Sequence, residues 1–107
     1  MSEPMRIRAH AEGGNAVVRV LMSHEMETGL RKDPSGKPIP AWHITEVTAS
    51  LNGKPVLTAE WGTAISKNPF LQFAVKGAKP GDRVAIAWAD NRGNRRSDEA
   101  TLAAAPA

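Results

Sequence analysis

The sequence of 107 residues contains no cysteine and no tyrosine. Without cysteine there is no disulfide framework, thiolate metal site, redox pair or thiol nucleophile. The redox state of the compartment stays open, because a cysteine-free domain is indifferent to it. Without tyrosine there is no tyrosine corner of the antibody type. Aromatic residues make up only 5% of the chain. No apolar window approaches the roughly 20 residues of a membrane-crossing helix. The start, Met1-Ser2-Glu3-Pro4-Met5-Arg6, has no apolar stretch behind a basic end, so no secretory signal is expected of it. A large charge of one sign is also missing. Fourteen Lys and Arg stand against eleven Asp and Glu, a net charge of +3. The basic residues are spread along the chain, so nucleic acid is not an expected partner. A single soluble domain spanning residues 1–107, with a frayed tail at 103–107, is the expectation.

What is present is a rhythm of short strands. Met5–His10 alternates Met5, Ile7 and Ala9 with Arg6, Arg8 and His10, and Ala16–Met22 is nearly all apolar, as suits a central strand. Trp42–Leu51 carries Val47, Ala49 and Leu51 on one parity but Trp42 and Ile44 on the other, which requires a bulge near Thr45 if both ends are buried. Asn52-Gly53 reads as a type I′ hairpin turn into Lys54–Trp61, and Pro55 puts that strand at a sheet edge. Pro69–Lys76, Arg83–Ala89 and a stretch near Arg95–Ala103 complete about seven strands. Helical periodicity is absent, and the turn spacing is that of an all-β sandwich. Two stretches break the rhythm: Ser23–Pro40, with Gly29, Gly36 and three prolines, and Gly62–Asn68. A connection as long as the first is characteristically functional or disordered.

Candidate chemistry is sparse. His24 beside Glu25 and Glu27 superficially suggests a metal site, but the H-E-x-x-H spacing is missing and an ordinary loop histidine fits as well, so no metal is expected. An enzyme built on His24 with Glu25 or Glu27 is the alternative to keep in view. Ser23 and Ser66 lack a strand–turn–helix elbow or an obvious base. The glycine-rich spots do not open a helix, so phosphate cradling is unsupported and no cofactor is expected. Arg92, Arg95 and Arg96 cluster at a turn with no aromatic stacking platform. Trp61 and Trp88 fall in phase with core positions. Phe70 faces away from Leu71 and Phe73, with Met22 and Met26 at and beyond the end of the second strand. That combination fits either a partner surface or a second buried layer.

The irregular stretches also resemble a known family. Val20-Leu21-Met22-Ser23-His24-Glu25-Met26-Glu27-Thr28-Gly29-Leu30-Arg31-Lys32-Asp33 is similar to the signature loop of SoxZ proteins. Gly36-Lys37 with Ile39-Pro40, Trp61-Gly62 followed by Ser66-Lys67-Asn68-Pro69-Phe70-Leu71, Lys76-Gly77-Ala78-Lys79 with Gly81-Asp82, and Trp88 with Asp90-Asn91 match as well. The resemblance runs over about residues 5–102, and Glu25 departs from it where proline is expected. It implies an immunoglobulin-like β-sandwich and a non-catalytic subunit of a sulfur carrier complex for thiosulfate oxidation. It further implies a heterodimer with a cysteine-bearing SoxY subunit, transient contact with other Sox enzymes, and a periplasmic location reached with the signal-bearing partner. The alternative in another class is a free-standing immunoglobulin-like ligand-binding module. The residues expected to build the partner surface are Met22, His24, Met26, Glu27, Ser66, Lys67, Asn68 and Phe70, with the loop residues among them exposed.

Overall fold

Seven strands follow one another in the computed structural model, which describes residues 4–104. They are β1 (Arg6–Glu12), β2 (Asn15–Leu21), β3 (Ile44–Leu51), β4 (Lys54–Glu60), β5 (Phe70–Lys76), β6 (Arg83–Asp90) and β7 (Arg95–Thr101). One sheet has the order β1-β2-β5 and the other β4-β3-β6-β7. Every strand pair is antiparallel, giving the all-β, immunoglobulin-like sandwich. β2 is central in its sheet and the Pro55 strand lies at an edge, as their apolar content and the proline require.

Strand parity builds the core. Ala16, Val18 and Val20 from β2 meet Val47 and Ala49 from β3 and Val84, Ile86 and Trp88 from β6, all buried. The parity conflict in β3 is resolved by a register shift between Ile44 and Glu46, which leaves Thr45 as the extra residue of a bulge. Ile44 and Val47 both become fully buried as a result. The bulge is pinned on both sides, because Thr45 Oγ1 donates to the Ala89 carbonyl at 3.1 Å and the Thr45 carbonyl accepts the Trp61 N–H at 2.8 Å. At the β3–β4 turn Asn52 and Gly53 both take positive φ, 50° and 84°, the type I′ geometry that matches strand twist.

One lateral side of the sandwich is closed and the other is open. On the closed side the chain beyond β7 crosses to β1. Ala103 receives the Ala11 N–H at 2.8 Å and donates to the Ala9 carbonyl at 3.1 Å, while Leu102 is buried. Ala103 is therefore bound to a strand, which corrects the expectation of fraying at that residue; residues 105–107 lie outside the described residues. On the other side, between the edge strands β4 and β5, Leu57, Trp61, Leu71 and Phe73 are only partly buried. The 18-residue connection from Ser23 to Pro40 is not structureless. It folds back as a narrow arm with bridges Glu27–Trp42 and Lys32–Pro38, and Asp33 Oδ1 receives Ser35 and Lys37 N–H groups to close its tip.

Candidate functional site

The two irregular stretches meet at one end of the sandwich. β2 ends at Leu21, and the next N–H, of Met22, donates to the Pro69 carbonyl at 2.9 Å. His24 and Asn68 then clasp each other: His24 N–H donates to Asn68 Oδ1 at 3.0 Å, and Asn68 N–H to the His24 carbonyl at 2.9 Å. Asn68 takes the left-handed backbone at φ 52°, which asparagine tolerates better than most residues. Outside this clasp Glu25 and Lys67 pair at 3.4 Å across the two loops.

Between the loops and the β6–β7 hairpin lies a buried polar node. His24 Nε2 is 3.0 Å from Asp90 Oδ2, and the two side chains are 2% and 0% exposed. The Met26 N–H points at His24 Nδ1 at 3.1 Å. Nδ1 is therefore the acceptor, and Nε2 carries the proton donated to Asp90. Both imidazole nitrogens are used. Trp42 Nε1 also donates to Asp90 Oδ2, at 2.8 Å, as does Asn94 Nδ2 at 3.0 Å. Asp90 Oδ1 takes the Arg92 and Asn94 N–H groups at 3.0 and 2.8 Å, an Asx turn that closes the hairpin. Burial pushes the Asp90 carboxyl up, but the donors from His24, Trp42 and Asn94 outweigh it and hold the group well below the usual carboxylate range.

Aromatic rings enclose the node. The His24 ring lies 5.0 Å from Trp42 and stands edge-on to Trp88 at 5.2 Å. The Arg92 guanidinium covers the outer face of Trp42 at 4.4 Å. Met26 adopts φ 53° and turns its sulfur into the core, where it accepts the Ile44 N–H at 3.3 Å. This arrangement holds three connections together, and it leaves His24 no free nitrogen for a proton transfer or a metal. Glu27 is committed elsewhere, in a two-pronged pair with Arg31 that lowers its carboxyl from the ordinary value. Among the described residues no group of three or more His, Asp or Glu is placed to hold a metal ion.

The residues expected at a partner surface are thus neighbours in space but divide in orientation. Ser66, Lys67, Asn68 and Phe70 are exposed, Phe70 by 60%, and Glu27 is half-buried. Met22, His24 and Met26 are buried at 1%, 6% and 5%. The expected exposure of His24 and Met26 is corrected, because the loop after β2 turns inward to satisfy Asp90 and to cap the core with sulfur, and Met22 lies in the core rather than on the surface. Asp90, Trp42 and Asn94 were missed as site residues. The available signal was the Asp90-Asn91-Arg92-Gly93-Asn94 turn, whose Asx geometry fixes Asp90 at a strand end, where a buried histidine finds a partner.

Placing the strands in register also reveals a clustering that the linear sequence hides. The solvent face of the three-stranded sheet is built in cross-strand rows: Arg6, Leu21 and Phe70 in one, then Arg8, Arg19 and Gln72 in the next. The opposite sheet carries a depression of about 400 Å³ over Ala87 and Ala89, flanked by Glu46, Thr48, Arg95 and Ser97.

A family model described as "Sulphur oxidation protein SoxZ" matches residues 5–101. No curated protein matches the sequence significantly. Among solved structures, a hypothetical protein from Pyrococcus horikoshii OT3 is similar, with TM-score 0.62, 18% identity, and 94% of this chain and 88% of that one covered. Superoxide reductase (neelaredoxin) from Archaeoglobus fulgidus in the reduced form is similar at TM-score 0.59 and 21% identity, with 94% and 87% covered. At such identities these likenesses establish the sandwich fold alone.

Proposed function

The chain belongs to the SoxZ family and so has a role in the Sox sulfur-oxidation system, and on that premise we propose that it is the non-catalytic subunit of a periplasmic sulfur carrier complex acting in thiosulfate oxidation. Its task is to pair with a cysteine-bearing SoxY subunit as a heterodimer and to help present that subunit's carrier arm to the Sox enzymes. The observation that carries this reading is the family match over residues 5–101. The chemistry of the chain supports it. A sulfur carrier linked through a thiol needs cysteine, and this sequence has none. The buried histidine–carboxylate pair, His24 with Asp90, has both imidazole nitrogens occupied. What remains for the chain to offer is surface, and exposed Phe70 beside Leu21 supplies an apolar anchor of the kind that dominates interfaces. Intact-mass measurement of both subunits after thiosulfate turnover tests the division of labour. All sulfur additions are expected on the partner; a sulfur adduct on this chain contradicts it.

A further inference from the structure

We propose that the solvent face of the β1-β2-β5 sheet is the docking surface for the cysteine-bearing subunit, and that the matching surface of that subunit is an apolar pocket rimmed with carboxylates. This rests on the pairing just proposed and adds where it occurs and by what chemistry. Arg8 and Arg19 lie directly opposite each other on β1 and β2, and Arg6 lies two residues along from Arg8 on the same face. Like charges directly opposite one another weaken a sheet. None of these three arginines has a carboxylate ion-pair partner among the described residues, and Arg19 reaches only Gln72, at 3.3 Å. Glu12 is the acidic residue of the three strands on this face, at the far end, beside His10 at 3.3 Å. The chain therefore keeps an uncompensated cationic pair next to Phe70 and Leu21, which are 60% and 41% exposed.

An apolar anchor edged by desolvatable arginines is complementary to a protein surface with a hydrophobic recess and acidic rim. Two copies of this chain are a poor fit, since a two-fold contact through the upper rows of this face sets arginine against arginine. Nucleic acid is disfavoured, because a single phenylalanine is no stacking platform.

The test uses the complex of this chain with its cysteine-bearing subunit, measuring Kd at low and high salt together with the thermal stability of the isolated chain. Arg8→Glu places a carboxylate opposite Arg19. It is expected to raise the Tm of the isolated chain while raising Kd at least about tenfold and flattening its salt dependence. Arg8→Glu with Arg19→Glu is expected to weaken pairing about 100-fold or more. Ser97→Arg, in the depression on the opposite sheet, is expected to leave Kd unchanged. Unaltered affinity for the two Arg variants, or a comparable loss from Ser97→Arg, overturns the assignment of this face while the pairing itself stands. Failure of the unmodified chain to bind the subunit overturns the pairing as well. Binding of a single-stranded oligonucleotide as tight as that of the subunit overturns the proposed chemistry.

Discussion

Replacing Asp90 by alanine strips its partners of a shared acceptor at the point where three connections meet. The carboxylate takes N–H donors from His24, Trp42 and Asn94 side chains and from the Arg92 and Asn94 backbone. The backbone donors and Asn94 are near water and recover much of their loss there. His24 Nε2 does not, because its side chain is 2% exposed, and Trp42 Nε1 is part-buried. An orphaned buried donor costs roughly 1–3 kcal/mol, and a hydrogen bond to a charged group contributes about 1.5–3 kcal/mol. Two such losses and the opened Asx turn bring Asp90→Ala to about 4 kcal/mol, at the upper end of single-site effects. For a domain of this size that corresponds to a Tm lowered by roughly 15 °C or more. Urea unfolding followed by tryptophan fluorescence measures it, with Trp42 and Trp88 reporting from the node itself. His24→Phe combined with Asp90→Ala should cost clearly less than the sum of the two, since the pair shares one bond. A loss below about 1 kcal/mol for Asp90→Ala, or strict additivity, refutes the node as a structural lock.

Other outcomes follow from the same geometry. The Asp90 carboxyl is held below its unfolded value of about 3.9, so the stability it contributes is fully present above that pH and is lost progressively as pH falls below about 4. Asp90→Asn should flatten that acid limb in stability-versus-pH measurements, and an unchanged limb counts against the assignment. Gly53→Ala should cost about 1–2 kcal/mol through its φ of 84° alone, since an added Cβ meets nothing within 4 Å. Loss of hairpin register in that variant would show that the turn rather than the core sets the pairing. Shortening the arm within Arg31–Pro38 should leave the Tm within a few degrees and reduce thiosulfate-dependent turnover by the reconstituted system. Full turnover by the shortened chain removes the arm from function.

The sandwich was legible in the sequence because its strands have one wet face. Val84, Ile86 and Trp88 alternate with Arg83 and small alanines, and all three are buried. The β3 bulge was legible too, from Ile44 and Val47 sitting on opposite parities. The interior of the loops was not. His24 and Met26 follow a strand in a segment rich in charge, where nothing local distinguishes a side chain turned inward from one turned out. The buried partner of His24 is Asp90, 66 residues away in the chain, and that of the Met26 sulfur is the Ile44 N–H. The arginine face was hidden for a related reason. Arg8 and Arg19 look dispersed along the chain, and only the β1–β2 register sets them opposite each other.

The central claim, that this chain exists to pair with a cysteine-bearing subunit, is tested most directly by native mass spectrometry of the tagged chain co-expressed with an untagged SoxY-like subunit. The account predicts a 1:1 heterodimer that survives purification, with the free chain a minor species. A stable monomer that leaves the co-expressed subunit behind contradicts it.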